Sequence, residues 1–282
     1  FNDAELTNKN YLEIFYSLGI DTIISPLDQV ASEIVRLIEK PALTDDVEFE
    51  GGKLSVFGIQ IDEHSKIIGK TIEDGILTDC GEVFRPIAIH RRNKTSLTSF
   101  DIPLRQKDIV YFIGHTNSIQ NALKTCGKVE YEVRKIMILG GSRIGIQTAK
   151  KLQDKYQITL VEKDPKKCLK LAEQLKGCLI LNIDGRDVAS LEEEGLANMD
   201  AFIAVTGSAE TNILSSLLAK KYGVNKTIAE IGNMEYIELA NNIGIDTVIN
   251  KKSIAASHIF SFTMNAEVSA VQCLNETDAE VL

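Results

Sequence analysis

Six short apolar runs, at residues 136–139, 158–161, 178–181, 201–205, 227–231 and 247–249, are separated by stretches with helical spacing. Residues 144–152 carry one such stretch. Residues 169–175, after a helix-starting Pro165, carry a second, and residues 210–221 a third. Strands alternating with helices pair in parallel through right-handed crossovers. Six strands in this rhythm predict a Rossmann-like, doubly wound parallel sheet over residues 134–263.

A second feature sets the larger architecture. Residues 4–34 recur at 229–259 with a constant offset of 225, so that Tyr11 falls on Tyr236. LGIDTII at 18–24 meets IGIDTVI at 243–249, and Gly19, Asp21 and Thr22 recur as Gly244, Asp246 and Thr247. A weaker echo links 54–68 to 268–282. Self-similarity of this kind predicts like units in tandem. The expected division is 1–40, the end of a first Rossmann lobe; 46–128, a small α+β lobe; 134–263, a second Rossmann lobe; and 264–282, the start of a second small lobe. Both chain ends then look like cuts through a longer protein.

The net charge of −9 argues against a nucleic-acid partner, because neutralising phosphates takes an excess of Lys and Arg. With 44% hydrophobic and 25% charged residues the chain has the makings of folded cores. No apolar run approaches the roughly 20 residues of a membrane-spanning helix. The cysteines, at 80, 126, 168, 178 and 273, are odd in number and form no Cys-x-x-Cys pair, a pattern of reduced cytoplasmic thiols.

The loop after the first strand is Gly140-Gly141-Ser142-Arg143-Ile144-Gly145. A dinucleotide fingerprint asks for glycine at its first, third and sixth places; here the third is Ser142. Glu162 ends the second strand roughly 20 residues on, where a carboxylate holds a ribose diol and disfavours a 2′-phosphate. That points to NAD(H) over its phosphorylated form. The alternative is a loop kept for turn geometry alone. Asp184, Thr206-Gly207 and Glu230 fall at the ends of later strands, the edge where open α/β sheets bind ligands. Thr206 and Ser208 are equally placed to cap a helix.

GGSRIG at 140–145, LVEKD at 160–164, AVTGSAETN at 204–212 and AEIGNMEY at 229–236 resemble, in this order, the regulator-of-potassium-conductance (RCK, or KTN) family. FRPIAIHRRN at 84–93, Ile102-Pro103 and the segment 106–110 are similar to that family's small C-terminal lobe, with strands expected at 82–89 and 108–113. The resemblance implies a tandem RCK chain, a non-enzymatic regulatory subunit peripheral to the inner face of the cell membrane. Its partner would be a membrane potassium-translocating subunit, and it would self-assemble as a dimer or tetrameric ring. It implies NAD(H), or ATP or ADP, as ligand. Residues Gly140 to Ile144 would lie on the pyrophosphate, Glu162 on the ribose, and Thr206-Gly207 beside the adenosine. Many relatives place Arg where Glu230 stands, and Glu5 occupies the matching place in the first copy. Glu230 would repel a polyphosphate unless Arg143 or a metal ion intervened.

The remaining polar features suggest little chemistry. Lys166 and Lys167 beside Cys168 would lower its thiol pKa, but no histidine adjoins it. His90-Arg91-Arg92 is expected as a solvated turn, Asp45-Asp46 as a solvated loop and Glu192 to Glu194 as an exposed helix face. The histidines show no metal spacing. A helix at 27–38 with apolar Val30, Ile34, Val35 and Ile38 packs on its own lobe or joins subunits. Two other readings stand beside the regulatory one: an NAD-dependent oxidoreductase, and a scaffold lobe without ligand.

Overall fold

The computed structural model describes residues 9–21, 23–49, 53–63, 65–77, 84–91, 94–97, 101–128 and 131–263, with strand pieces at 272–273 and 280–281. Along the chain run α1 (Lys9–Ser17), α2 (Pro26–Glu39), β1 (Asp45–Phe49), β2 (Leu54–Gln60), β3 (Phe84–Arg91), β4 (Lys94–Leu97), β5 (Ile109–His115) and α3 (Ile119–Thr125). Then come β6 (Lys135–Leu139), α4 (Arg143–Leu152), β7 (Gln157–Glu162), α5 (Pro165–Gln174), β8 (Cys178–Asn182) and α6 (Val188–Glu193). The order closes with β9 (Ala201–Ala204), α7 (Ala209–Lys221), β10 (Lys226–Glu230), α8 (Met234–Ile243), β11 (Thr247–Ile249) and α9 (Lys251–Thr263). Two compact units result: residues 1–38 with 133–263, and residues 39–132 with 264–282.

In the first unit, β6 is the hub. Ile136, Met137 and Ile138 are fully buried, as expected of a strand covered on both faces. The six strands pair in parallel in the order β11-β10-β9-β6-β7-β8. This is the doubly wound order anticipated from the apolar runs. Met137, Leu139, Phe202 and Ala204 pack with Leu191 and Leu196 on one side of the sheet. The strand order reverses between β6 and β9, which opens a crevice at their carboxyl ends.

The repeat is visible in this unit. α1 and α2 begin at Lys9 and Pro26, α8 and α9 at Met234 and Lys251, the same offset apart. Gly19 and Gly244 both take left-handed φ values, +84° and +105°, just past the ends of α1 and α8. In α2 the buried face is Val30, Ala31, Ile34, Leu37 and Ile38, while Val35 is only half-buried. Asp28 of α2 forms an ion pair with Lys151 of α4 at 3.2 Å.

The second unit is a five-stranded antiparallel sheet ordered β1-β2-β5-β3-β4. One face packs Phe57, Phe84 and Phe112 against Ile119, Ala122 and Leu123 of α3. Phe112 stacks on Phe57 and meets Phe84 edge-on, with centroids 5.6 Å apart in both pairs. Two polar stretches differ from expectation. Asp45 and Asp46 are buried at the start of β1, not in a solvated loop. Asp45 accepts from the Tyr111 hydroxyl at 2.8 Å and Asp46 pairs with Lys40. His90 and Arg91 belong to β3: His90 is buried against Thr95, and Arg91 holds Asp108. Arg92 lies outside the described residues. Burial pushes the Cys126 thiol up to about 12. Among the described residues no helix is long and apolar enough to cross a membrane.

Candidate functional site

The carboxyl edge of the parallel sheet presents, from one side to the other, Asn250, Glu230, Thr206, Gly140, Glu162 and Asn182. Gly140 turns the chain out of β6. Its amide donates to the Val161 carbonyl at 2.8 Å, and its φ of +111° is one that side-chain-bearing residues rarely adopt. A Cβ there would also stand 3.0 Å from the backbone of Val205 and Thr206. At Gly145 a Cβ would fall on the Gly140 carbonyl oxygen. Turn and helix can approach this closely only because position 145 has no side chain.

The serine at the third place of the fingerprint fits without strain. Ser142 sits at φ −68° and ψ 169°, extended backbone open to any residue, and is the N-cap of α4. Its hydroxyl oxygen accepts from the Gly145 amide at 3.2 Å. The amides of Arg143 and Ile144 remain as first-turn donors with no acceptor inside the helix. The Ile144 side chain is buried beneath them and that of Arg143 is exposed. A helix N-terminus with free amides and a nearby guanidinium suits an anion.

Glu162 is 7% exposed, and its carboxylate is directed back at the loop. Its Oε2 accepts from the Gly141 amide at 3.1 Å and its Oε1 from the Asp164 amide at 3.0 Å. Lys167 Nζ lies 3.4 Å from Oε2. Asn182 Nδ2 donates to the Glu162 carbonyl at 3.0 Å, tying β8 to the same corner. Pairing between residues so far apart in sequence makes the glycine loop and the strand-end acid a single site.

Cys168 lies against this corner, donating to the Glu162 carbonyl at 3.3 Å. Its thiol pKa is raised, not lowered as the neighbouring lysines suggest. Burial is the main cause, partly offset by the Asn182 amide and reinforced by Glu162 and Asp164. Asp184 stands one strand further out and is gripped by Arg186 at 2.6 Å. Hydrogen bonds from Arg186 hold its carboxyl down at about 2.

On the other side of the crevice the Thr206 hydroxyl is committed within its own turn. It donates to Asn212 Oδ1 at 2.6 Å and accepts from the Ser208 amide at 3.2 Å. The neighbouring Gly207 faces open space. Ser208 caps α7, accepting from the Thr211 amide. Glu230 is buried, and Lys251 Nζ lies 3.5 Å from its Oε1. The charge that the sequence left open at Glu230 is thus countered by the first residue of α9. Asn250 adds a second tie, donating to the Ile231 carbonyl at 2.8 Å while capping α9. Glu5, the matching residue of the first copy, lies outside the described residues.

Lys251, Asn182 and Asn212 are members of this edge that loop-and-strand spacing does not reveal. None of the three stands out by local pattern: even Asn212 shares its helix with Ser215 and Ser216, which are buried as well.

Residues 136–251 match the TrkA-N domain family. Across 99% of its length the chain is 28% identical to the Trk system potassium uptake protein TrkA homolog 2 of Methanosarcina mazei, of which it covers 63%. It is 31% identical to the TrkA homolog of Archaeoglobus fulgidus over 90% of its length, covering 58% of that protein. The chain therefore spans less than two thirds of these relatives. In fold it resembles the GsuK RCK domain, with a TM-score of 0.59 and 18% identity over 89% of this chain and 54% of that one. The GsuK channel bound to NAD gives 0.58 and 18%, over 90% and 45%. These comparisons and the doubly wound lobe agree: residues 136–251 match the TrkA-N domain family, in a chain similar along nearly its whole length to Trk system potassium uptake proteins.

Proposed function

We propose that this chain is the nucleotide-sensing part of a regulatory subunit for potassium uptake, and that its ligand is NAD(H), with ATP or ADP as the second choice. The observation that carries the reading is the joined corner at Gly140 to Gly145 and Glu162. It offers free amides at a helix N-terminus for a pyrophosphate and a buried carboxylate for a ribose diol. A diol entering there takes over bonds that the Gly141 and Asp164 amides now make to Glu162. The names of the relatives supply potassium uptake, and the NAD-bound GsuK channel shows that a protein of this fold takes NAD.

The tandem division extends the proposal. Residues 1–40 would close a first RCK Rossmann lobe and 46–128 would be its small lobe. Residues 134–263 would be the second Rossmann lobe and 264–282 would begin the second small lobe. The subunit would sit on the cytoplasmic side of the membrane, assembled with itself and with a potassium-translocating membrane subunit. Its role is regulatory and non-catalytic: ligand moves the assembly only through a difference in affinity between two arrangements.

Glu162→Gln tests this reading. It keeps the shape and one acceptor but removes the charge, so NADH affinity should fall about 10-fold, the worth of one good hydrogen bond to a charged group. Fluorescence titration of NADH reads the affinity. Potassium uptake by the intact transport system reads the consequence. Wild-type values in both measurements would sink the assignment.

A further inference from the structure

Asn212 is fully buried at the fourth position of α7, where a residue that competes for backbone hydrogen bonds is a poor choice on propensity alone. Its side chain explains the choice. Oδ1 accepts from the Thr206 amide at 2.9 Å and the Thr206 hydroxyl at 2.6 Å. Nδ2 donates to the Thr206 carbonyl at 3.2 Å and the Glu230 carbonyl at 2.8 Å. An Asn has two donor hydrogens and two acceptor lone pairs, and here all four are used.

The bonds run to the carboxyl ends of two strands. Three fix the turn after β9, on the rim of the crevice, and the fourth fixes the end of β10. We propose that Asn212 is a positioning residue for the nucleotide site: it clasps these two strand ends at the separation the ligand requires without touching the ligand itself. This rests on the nucleotide reading above. The clasp needs both halves of the amide, because carbonyls and donors alternate around it. A carboxylate at 212 would keep the acceptor, lose both donors and set its charge against the Thr206 and Glu230 carbonyls.

That requirement gives a test with a pH signature. Charged groups on the elements joined by the clasp are Glu210 in the first turn of α7, bonded to Ser208, Lys220 and Lys221 in its last turn, Lys226 at the start of β10, and Glu230 at its end beside Lys251 of α9. Wild type controls for all of them. In an Asn212→Asp chain a buried carboxyl has a raised pKa, and its protonated form regains one donor. NADH titrations of both chains at pH 8 and pH 6, with circular dichroism as the check on folding, read the effect. The expected result is about 10-fold weaker binding by the variant at pH 8, one buried hydrogen bond's worth, recovering at pH 6. Wild type should change little between the two.

Wild-type affinity in the variant at pH 8 would overturn the inference. So would a loss that persists unchanged at pH 6, which marks a merely structural role. A wild-type chain that binds no nucleotide overturns the nucleotide reading, and the inference falls with it. Should Asn212→Asp fail to fold, Asn212→Ser carries the test with one donor and one acceptor and no charge. Weakened binding by a natively folded serine variant supports the clasp, and wild-type affinity overturns it.

Discussion

A Gly145→Val chain should lose nucleotide affinity on the order of 100-fold, since displacement of a binding loop by about 1 Å is enough for such a loss. The cause is local. A Cβ at 145 falls on the Gly140 carbonyl oxygen and within 3.3 Å of Val205 Cγ2, so β6 and the start of α4 must separate. The Gly145 amide would then leave the Ser142 hydroxyl, and the first-turn donors would swing away from the line set by Gly140. The variant should still fold, destabilised by about 1–3 kcal/mol as in other overpacked cores. Calorimetric titration with NADH, beside a urea melt, separates the two effects. A Gly145→Val chain that binds like wild type would show that the loop is kept for geometry only.

The second large effect concerns the antiparallel unit. Asp108→Ala should cost about 1–3 kcal/mol, because it leaves the half-buried Arg91 guanidinium and the Arg105 amide without their acceptor. The Asp108 side chain is 2% exposed and takes Arg91 in a two-pronged pair, Nε at 2.7 Å and Nη2 at 2.6 Å. The Arg105 amide donates to it as well, and Arg91 reaches the Pro103 carbonyl. The pair therefore ties β3 to the stretch at residues 103–108 that leads into β5. The hydrogen bonds to Asp108 are also what raise the Arg91 pKa, so the guanidinium stays charged throughout the accessible pH range. A thermal melt reading this unit should show a drop of several degrees per kcal/mol for a domain of its size. A melting temperature within 2 °C or so of wild type, against the about 4–8 °C expected for each kcal/mol, would mean that the pair adds nothing to stability.

Legibility in the sequence follows burial. The parallel strands lie within a residue or two of the apolar runs, because strands covered on both faces are apolar along most of their length. In the small unit only β3 and β5 stand out. β1 reads DDVEF and β4 reads KTSL, polar segments whose strand character comes from pairing with β2 and β3. The buried Asp45 and Asp46 and the half-buried Arg91 look solvated in sequence for the same reason. Their partners Tyr111, Lys40 and Asp108 are supplied by the fold.

The candidate site divides along the same line. Gly140, Gly145 and Glu162 are legible because a turn, a helix start and a strand end occur at fixed spacing in one β-α-β unit. The Asn212 clasp and the Lys251 counter-charge join segments far apart in sequence, and no local pattern announces them. Arg143 stands at the helix start as expected, while the cation near Glu230 is a lysine from the next helix. The fingerprint's missing glycine has a local explanation: position 142 is extended, and its serine caps the helix.

Calorimetric titration of this chain with NADH, NAD, ATP and ADP, with and without magnesium, tests nucleotide binding at the Gly140 loop of the lobe at 134–263 most directly. A saturable isotherm with at least one of the four, strongest for NADH or NAD and abolished by Gly140→Asp, is expected. Heats of dilution alone from all four, in a chain that melts cooperatively, would contradict it.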